Sequence, residues 1–438
     1  MAKNAELFIC LIVVISSLLV YILNVWLLNT DLVQNPPEDY SWIIHGFRNI
    51  LGYATLFLPG YLVYKYLSKT NYLNKSGRGV FGGIIRTLYA ENELIPETQA
   101  SQTAAELRTP LQTAVLLICY FGGLQISYLS WALLQEKVMT QKYENAEGEV
   151  EYFKDSQFLV FVNRILAFVM ASIILFCTRQ PRHKCPLYKY VFCSFSNIMS
   201  SWCQYEALKY VAFPHQVLAK ASKTIPVMIM GKVMSKTKYE YYEYVTAGIL
   251  SIGMLFFMLD TGNDKAKSTV TTFSGVIILC SYIIFDSFTS NWQGSLFKRY
   301  EMKPIQMMCF VNCYSCIFTA VSLLQQGGFF TSLNFIIKYP NFLVDALLLS
   351  VCSAAGQLFI FKTVATFGPL VFVIISTIRQ GFSVLLSCLV YHHEVHALGI
   401  FGISLVFLSI LLRIYCDYRI KSLKKQHAGI VKNQINLK

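Results

Sequence analysis

Lys220 and Lys223 stand three positions apart in a run of apolar residues, and Gln216 lies four positions before the first of them. An α-helix carries positions i, i+4 and i+7 on one face, so the three side chains would point the same way. Two ammonium groups on one face repel each other unless an anion sits between them, and residues 212–234 contain no carboxylate. Such a pair suits a phosphate or sulfate group; the competing possibility is neutralisation by Asp286 or Glu206 from neighbouring segments. Arg379 lies about twelve residues into another apolar run, sharing a helix face with Ser376 and Ser383. Its planar guanidinium can grip two oxygens of a phosphate or sulfate at once, and pairing with Asp286 is again the alternative. Arg164 and Asp286 could form structural ion pairs or line the solute's path.

Tyr282, Asp286, Thr289 and Gln293 recur at i, i+4, i+7 and i+11, with Asn291 beside them. A polar stripe on an apolar helix lines water or another helix. An aromatic ring such as Tyr282 is able to stack on a nucleobase, although 27 Tyr and 32 Phe leave no single ring marked out. Covalent chemistry finds no support: there is no nucleophile–base pair and no metal cluster. Cys313 and Cys316 have metal or redox spacing but lie in an apolar run without a partner pair. His392, His393, Glu394 and His396 crowd one short turn, where they could sense acidity, but their spacing is not that of a zinc protease. The reading is a binding and transport protein with no catalytic residue, metal or cofactor.

Cations in apolar runs matter because of what surrounds them. The 438 residues are 55% hydrophobic and 14% charged, against about 25% charged in a soluble domain, and the mean hydropathy is +0.48. A charge near mid-bilayer costs about 2.5–3.5 kcal/mol or more, so it faces a cavity or a partner. The apolar runs are about membrane-spanning in length. Two stand at the front, within residues 1–66, followed by a polar linker over 67–110. Ten more occupy 111–135, 157–178, 188–208, 212–234, 243–261, 274–297, 304–325, 341–364, 367–391 and 397–418, and a basic tail covers 419–438. Alternate loops collect Lys and Arg, 23 on the N-terminal side of the membrane against 7 on the other. Cytoplasmic loops are the positive ones, which puts both termini in the cytosol. The net charge of +13 therefore reflects topology and not nucleic acid binding. Arg48 and Lys189 lie near span ends and can snorkel. The scattered cysteines, such as Cys193 and Cys203, read as packing residues. Gly399 and Gly402 in the last span permit close packing, compatible with a homodimer.

A faint echo joins Gln204-Tyr-Glu-Ala-Leu-Lys209 to Gln357-Leu-Phe-Ile-Phe-Lys362, each at a junction of two spans. Two five-helix halves inserted upside down relative to each other would produce it. The fold class expected is an all-α polytopic membrane protein: a ten-helix core of two inverted five-helix repeats plus two N-terminal transmembrane helices.

The stretch from Tyr205 to Pro214, then Gln216-Val-Leu-Ala-Lys220-Ala-Ser-Lys223-Thr-Ile-Pro226, resembles the third and fourth helices of the nucleotide-sugar transporter family, within the drug/metabolite transporter superfamily. Asp286-Ser-Phe-Thr-Ser-Asn291-Trp-Gln293 and Gly356-Gln-Leu-Phe-Ile-Phe361 narrow the likeness to the branch that carries 3′-phosphoadenosine 5′-phosphosulfate (PAPS). The resemblance covers about 111–418. It implies that Lys220 and Lys223 bind the nucleotide's phosphates, that Arg379 assists, and that PAPS enters the Golgi against a counter-nucleotide. Relatives often place Lys after the arginine, where this chain has Gln380. The rivals are a nucleotide-sugar or ATP/ADP exchanger, and a membrane-bound transferase using a nucleotide donor.

Overall fold

Backbone N–H and C=O groups find no water in a bilayer core, so an apolar run of about twenty residues satisfies them internally by coiling. The computed structural model follows that rule. It describes residues 2–28, 41–70, 72, 80–89, 110–145, 148–153, 155–178, 185–211, 216, 223–236, 239–262, 273–300, 302–391, 397–402, 404–409, 411–413, 415–416 and 419–420. In chain order come α1 (Ala2–Leu28), α2 (Ser41–Thr70), α3 (Val80–Tyr89), α4 (Pro110–Thr140), β1 (Lys142–Glu144), β2 (Val150–Tyr152), α5 (Ser156–Cys177) and α6 (Tyr188–Ala207). Then follow α7 (Thr224–Ser235), α8 (Tyr241–Gly262), α9 (Phe273–Tyr300), α10 (Pro304–Gln326), α11 (Gly328–Lys338) and α12 (Pro340–Tyr391), with α13 (Ala397–Arg413) last. Segments such as Ser156–Cys177, Phe273–Phe297 and Pro304–Gln326 are long and apolar enough to cross a membrane. The protein is an all-α polytopic membrane protein, as its sequence predicts.

Two compact units divide it. Unit one comprises Met1–Tyr210 and Thr272–Phe372; unit two comprises Val211–Thr271 and Val373–Lys438.

One expectation is corrected. The spans over 341–364 and 367–391 form one continuous helix, α12, of 52 residues. Gly368-Pro369 lies inside it, where proline removes one backbone donor, and the unit boundary at 372/373 falls just beyond. Breaking residues weaken a helix without obliging it to turn.

In unit one, α5 packs along α10 and α6 along α9, around Ala167, Ala171, Tyr190, Cys193, Met307 and Ala354. The N-terminal pair is part of this packing, not a detached anchor. Gly46 lets α2 approach the Trp202 ring on α6. Gly52 faces Ser322 on α10, whose backbone Cα would stand 3.0 Å from an added Cβ. Gln326 Nε2 donates to Asn49 Oδ1 at 3.0 Å and Gln325 Nε2 to Thr55 Oγ1 at 3.1 Å. In unit two, α8 packs on α13: Ser409 Oγ donates to the Thr246 carbonyl at 2.6 Å, and Gly253 faces the Gly402 carbonyl. Of the two glycines read as permitting close packing, Gly402 makes its close contact within the chain.

Helix ends carry their own signals. The Asp155 carboxylate caps α5, accepting from the Gln157 and Phe158 N–H groups at 3.0 and 3.1 Å. Gly327 ends α10 at φ 72°, a conformation glycine adopts without penalty. The β1–β2 hairpin and α11, which the sequence reading left as loops, meet through Tyr143, Phe153, Phe335 and Phe342 in edge-to-face and tilted contacts. Ion pairs join the same end: Lys137 to Asp345 at 2.8 Å and Lys338 to Glu149 at 2.5 Å.

Candidate functional site

Unit two holds Gln216, Lys223, Ser376 and Arg379. Gln216 and Ser376 are buried, whereas Lys223 and Arg379 are partly exposed. Lys223 stands at the start of α7 with helical backbone angles, and its carbonyl accepts from the Val227 N–H at 3.0 Å. Arg379 follows Ser376 by three positions on α12, on the same helix face. Lys220 lies outside the described residues, so the expected Gln216–Lys220–Lys223 face is seen only at its two ends.

Unit one holds Tyr282, Asp286, Asn291 and Gln293 on α9, and Arg164 on α5. Part of the polar stripe serves helix packing. Thr289 Oγ1 sits 2.8 Å from Ser196 Oγ on α6, and Trp292 Nε1 donates to the Lys189 carbonyl at 2.9 Å. Asn291 Nδ2 turns back to the Ser287 carbonyl at 2.9 Å. Tyr282 is buried; Asp286, Asn291 and Gln293 are partly exposed, and Gln293 lies against the Cys193 thiol of α6. Among the described residues Arg164 forms no carboxylate pair: its Nη2 donates to Asn197 Oδ1 at 3.1 Å and to Ser201 Oγ, both on α6. Lys189 does not reach the surface as expected of a snorkelling residue; it is buried and hydrogen-bonded to the Tyr300 hydroxyl.

A cavity of about 790 Å³ opens at the hairpin end of unit one, lined among others by Arg48, Asp155, Glu206, Lys209, Ser332 and Lys338. Its acids are mostly engaged. Glu206 pairs with Lys209 at 2.7 Å and accepts from Ser156 at 2.9 Å, and Asp155 accepts from Ser332 at 3.0 Å. Burial raises the Asp155 carboxyl above its ordinary range, while the hydrogen bonds from Phe158, Ser332 and Gln157 pull the other way. The sequence reading missed this cavity, because it is built from side chains scattered over α2, α6, α11 and the hairpin.

Among the described residues no group of three His, Cys, Asp or Glu side chains could hold a metal ion. Cys313 and Cys316 carry free thiols, and the His392–His396 turn lies outside the described residues. The described residues offer cations and amides suited to binding.

The sequence profile of the UAA transporter family matches residues 115–417, which covers all ten expected core spans. The chain belongs to the UAA transporter family. It is similar to proteins named "Adenosine 3'-phospho 5'-phosphosulfate transporter 1". The one from Drosophila melanogaster is 48% identical over 449 residues, 97% of either chain. The one from Homo sapiens is 48% identical over 404 residues, covering 90% of this chain and 92% of that one. The one from Caenorhabditis elegans is 38% identical over 408 residues, covering 89% and 95%. A UAA transporter moves a small solute through a membrane and is not an enzyme.

Proposed function

We propose that the chain carries PAPS from the cytosol into the Golgi lumen in exchange for adenosine 3′,5′-bisphosphate. The carrier alternates access between two inverted five-helix halves and supplies lumenal sulfation. The observation that carries this reading is the 48% identity, over 97% of the chain, to a fly protein bearing the PAPS transporter name. Charge supports it independently. PAPS bears about four negative charges near neutral pH, counting one on the phosphate bridge, one on the sulfate and about two on the 3′-phosphate. Lys220, Lys223 and Arg379 supply positive charge in apolar surroundings, Gln216, Ser376, Asn291 and Gln293 supply neutral donors, and Tyr282 supplies a ring for the adenine. Returning the bisphosphate, also about four minus, makes the exchange close to electroneutral. Both termini lie in the cytosol and the lipid bilayer is the protein's permanent partner.

The test is uptake of labelled PAPS into sealed Golgi vesicles from cells expressing the protein, challenged with unlabelled competitors. Adenosine 3′,5′-bisphosphate is expected to compete strongly, and UDP-sugars and ATP weakly. Equal competition by UDP-sugars would make the chain a nucleotide-sugar carrier. Product formation in detergent-opened vesicles would make it a transferase.

A further inference from the structure

The cavity at the hairpin end of unit one has walls of balanced charge. With His45 neutral, its lining holds Arg48, Lys209 and Lys338 beside Glu151, Asp155 and Glu206, around a space of about 790 Å³. That volume is in the range of small-molecule sites. Four of the six charged groups are occupied. Lys209 and Glu206 pair at 2.7 Å, Lys338 turns to Glu149 at 2.5 Å, and Asp155 accepts from the Gln157 and Phe158 N–H groups and from Ser332. Arg48 and Glu151 are left over. Neither makes an ion pair within 4.0 Å among the described residues, and the Arg48 Nε is buried without a hydrogen-bond partner. Asp155 is near enough to act on Arg48 electrostatically, but its oxygens are engaged by the α5 cap and Ser332. The two spare charges stand on different elements, Arg48 on α2 and Glu151 on β2.

Balanced walls select the net charge of an occupant. A solute with several negative charges would meet three carboxylates as well as the cations, and like charges repel at such range. A ligand with one anionic and one cationic group gives each spare side chain a partner and keeps the total at zero. The neighbourhood then selects the kind of zwitterion. α11 forms one side of the cavity through Thr331, Ser332 and Lys338, and it joins the end of one span-length apolar helix to the start of another, which puts it at a membrane face. Phe330, Leu333 and Ile337 share one side of α11 and are 66%, 41% and 75% exposed. Ser332, turned away from them, is buried and donates to Asp155. A helix apolar on one side and polar on the other lies in the headgroup layer with its apolar side against the acyl chains. The polar side of α11 therefore holds the cavity at headgroup depth, and its apolar side continues into the hydrocarbon.

We propose that this cavity binds the headgroup of a zwitterionic phospholipid that carries a primary ammonium. Arg48 takes the phosphate, as a guanidinium is shaped to do, Glu151 takes the ammonium, and the acyl chains run along the exposed side of α11. The inference is independent of which solute the protein carries.

The test uses full-length protein purified in detergent, with bound lipid counted by native mass spectrometry. The probes are phosphatidylethanolamine, phosphatidylglycerol with the same chains, which keeps the phosphate and lacks the ammonium, and soluble phosphoethanolamine. Wild type is expected to hold one phosphatidylethanolamine per chain, at least threefold more tightly than phosphatidylglycerol, and soluble phosphoethanolamine far more weakly. Arg48→Gln is expected to lose about tenfold in affinity for both lipids, the loss of a charge-assisted hydrogen bond. Glu151→Gln is expected to lose about threefold for phosphatidylethanolamine alone, as suits an exposed charge, so that its preference over phosphatidylglycerol disappears. A merely loosened fold would weaken both lipids and leave the preference in place. Ile337→Ser is expected to weaken both lipids, and unchanged affinities there would overturn the placement of the chains on α11. Equal binding of the two lipids by wild type, or an unchanged preference in Glu151→Gln, would overturn the proposal. Soluble phosphoethanolamine bound as tightly as the lipid would overturn the lipid assignment. If Arg48→Gln does not fold, Glu151→Gln, whose side chain is exposed, decides alone.

Discussion

Lys223 and Arg379 belong to one unit but to different helices, α7 and α12, and each is partly exposed. Lys220→Ala or Lys223→Ala is expected to weaken PAPS binding about 10- to 150-fold, the worth of a charged hydrogen bond at about 1.5–3 kcal/mol, with expression and membrane delivery intact. Normal concentration dependence of PAPS uptake in both variants would make these lysines structural. Arg379 is separable by shape. If its guanidinium clamps two anionic oxygens, Arg379→Lys is impaired almost as badly as Arg379→Ala, because lysine offers a point charge. Full PAPS uptake by Arg379→Lys would retire the clamp. These cations were legible in the sequence because a charge inside an apolar run stands out against its neighbours. The partners of Arg164 were not legible. Asn197 and Ser201 lie 33 and 37 positions away on another helix, and no periodicity ties one helix's cation to another's hydroxyl.

The start of α5 couples a helix cap to pH. Burial raises the Asp155 carboxyl above its ordinary 3.8, so the folded protein holds that proton at pH values where the unfolded chain has lost it. Stability from this group therefore falls as pH rises from 3.8 through the raised value and returns on acidification. Asp155→Asn keeps an oxygen for the Gln157 and Phe158 N–H groups and removes the titration. At pH 7 its melting temperature is expected to equal or exceed that of wild type, with the gap closing as pH falls. Asp155→Ala loses the cap and about 1 kcal/mol. Thermal unfolding of the three proteins between pH 5 and 7.5 checks this; an Asn variant as unstable as the Ala variant would refute it. Gly52 tests the docking of the N-terminal pair. A valine there must displace the Ser322 backbone on α10, so Gly52→Val is expected to lower thermal stability, whereas Gly83→Ala, with open space around it, is expected to be nearly silent. At this scale the sequence gives span positions well, since apolar length is set by the bilayer. It gives breaks poorly, as the continuous α12 shows, and it hides short elements such as β1, β2 and α11, whose order comes from aromatic contacts between distant loops.

The whole molecule was readable as a polytopic membrane transporter from its apolar runs, and the family match over residues 115–417 agrees with the extent of the core. The inverted repeat stays an expectation drawn from a faint sequence echo, because apolar helices resemble one another. Orientation is checked by protease removal of a C-terminal tag from sealed, right-side-out vesicles, which is expected to succeed; a protected tag would invert the topology. The most direct measurement uses purified protein in liposomes, preloaded with adenosine 3′,5′-bisphosphate or left empty, and follows entry of labelled PAPS. Saturable entry is expected, accelerated by the internal bisphosphate and little changed by an imposed membrane potential because the exchanged charges balance. Entry no faster than into protein-free liposomes, under either loading, would contradict PAPS transport by this chain.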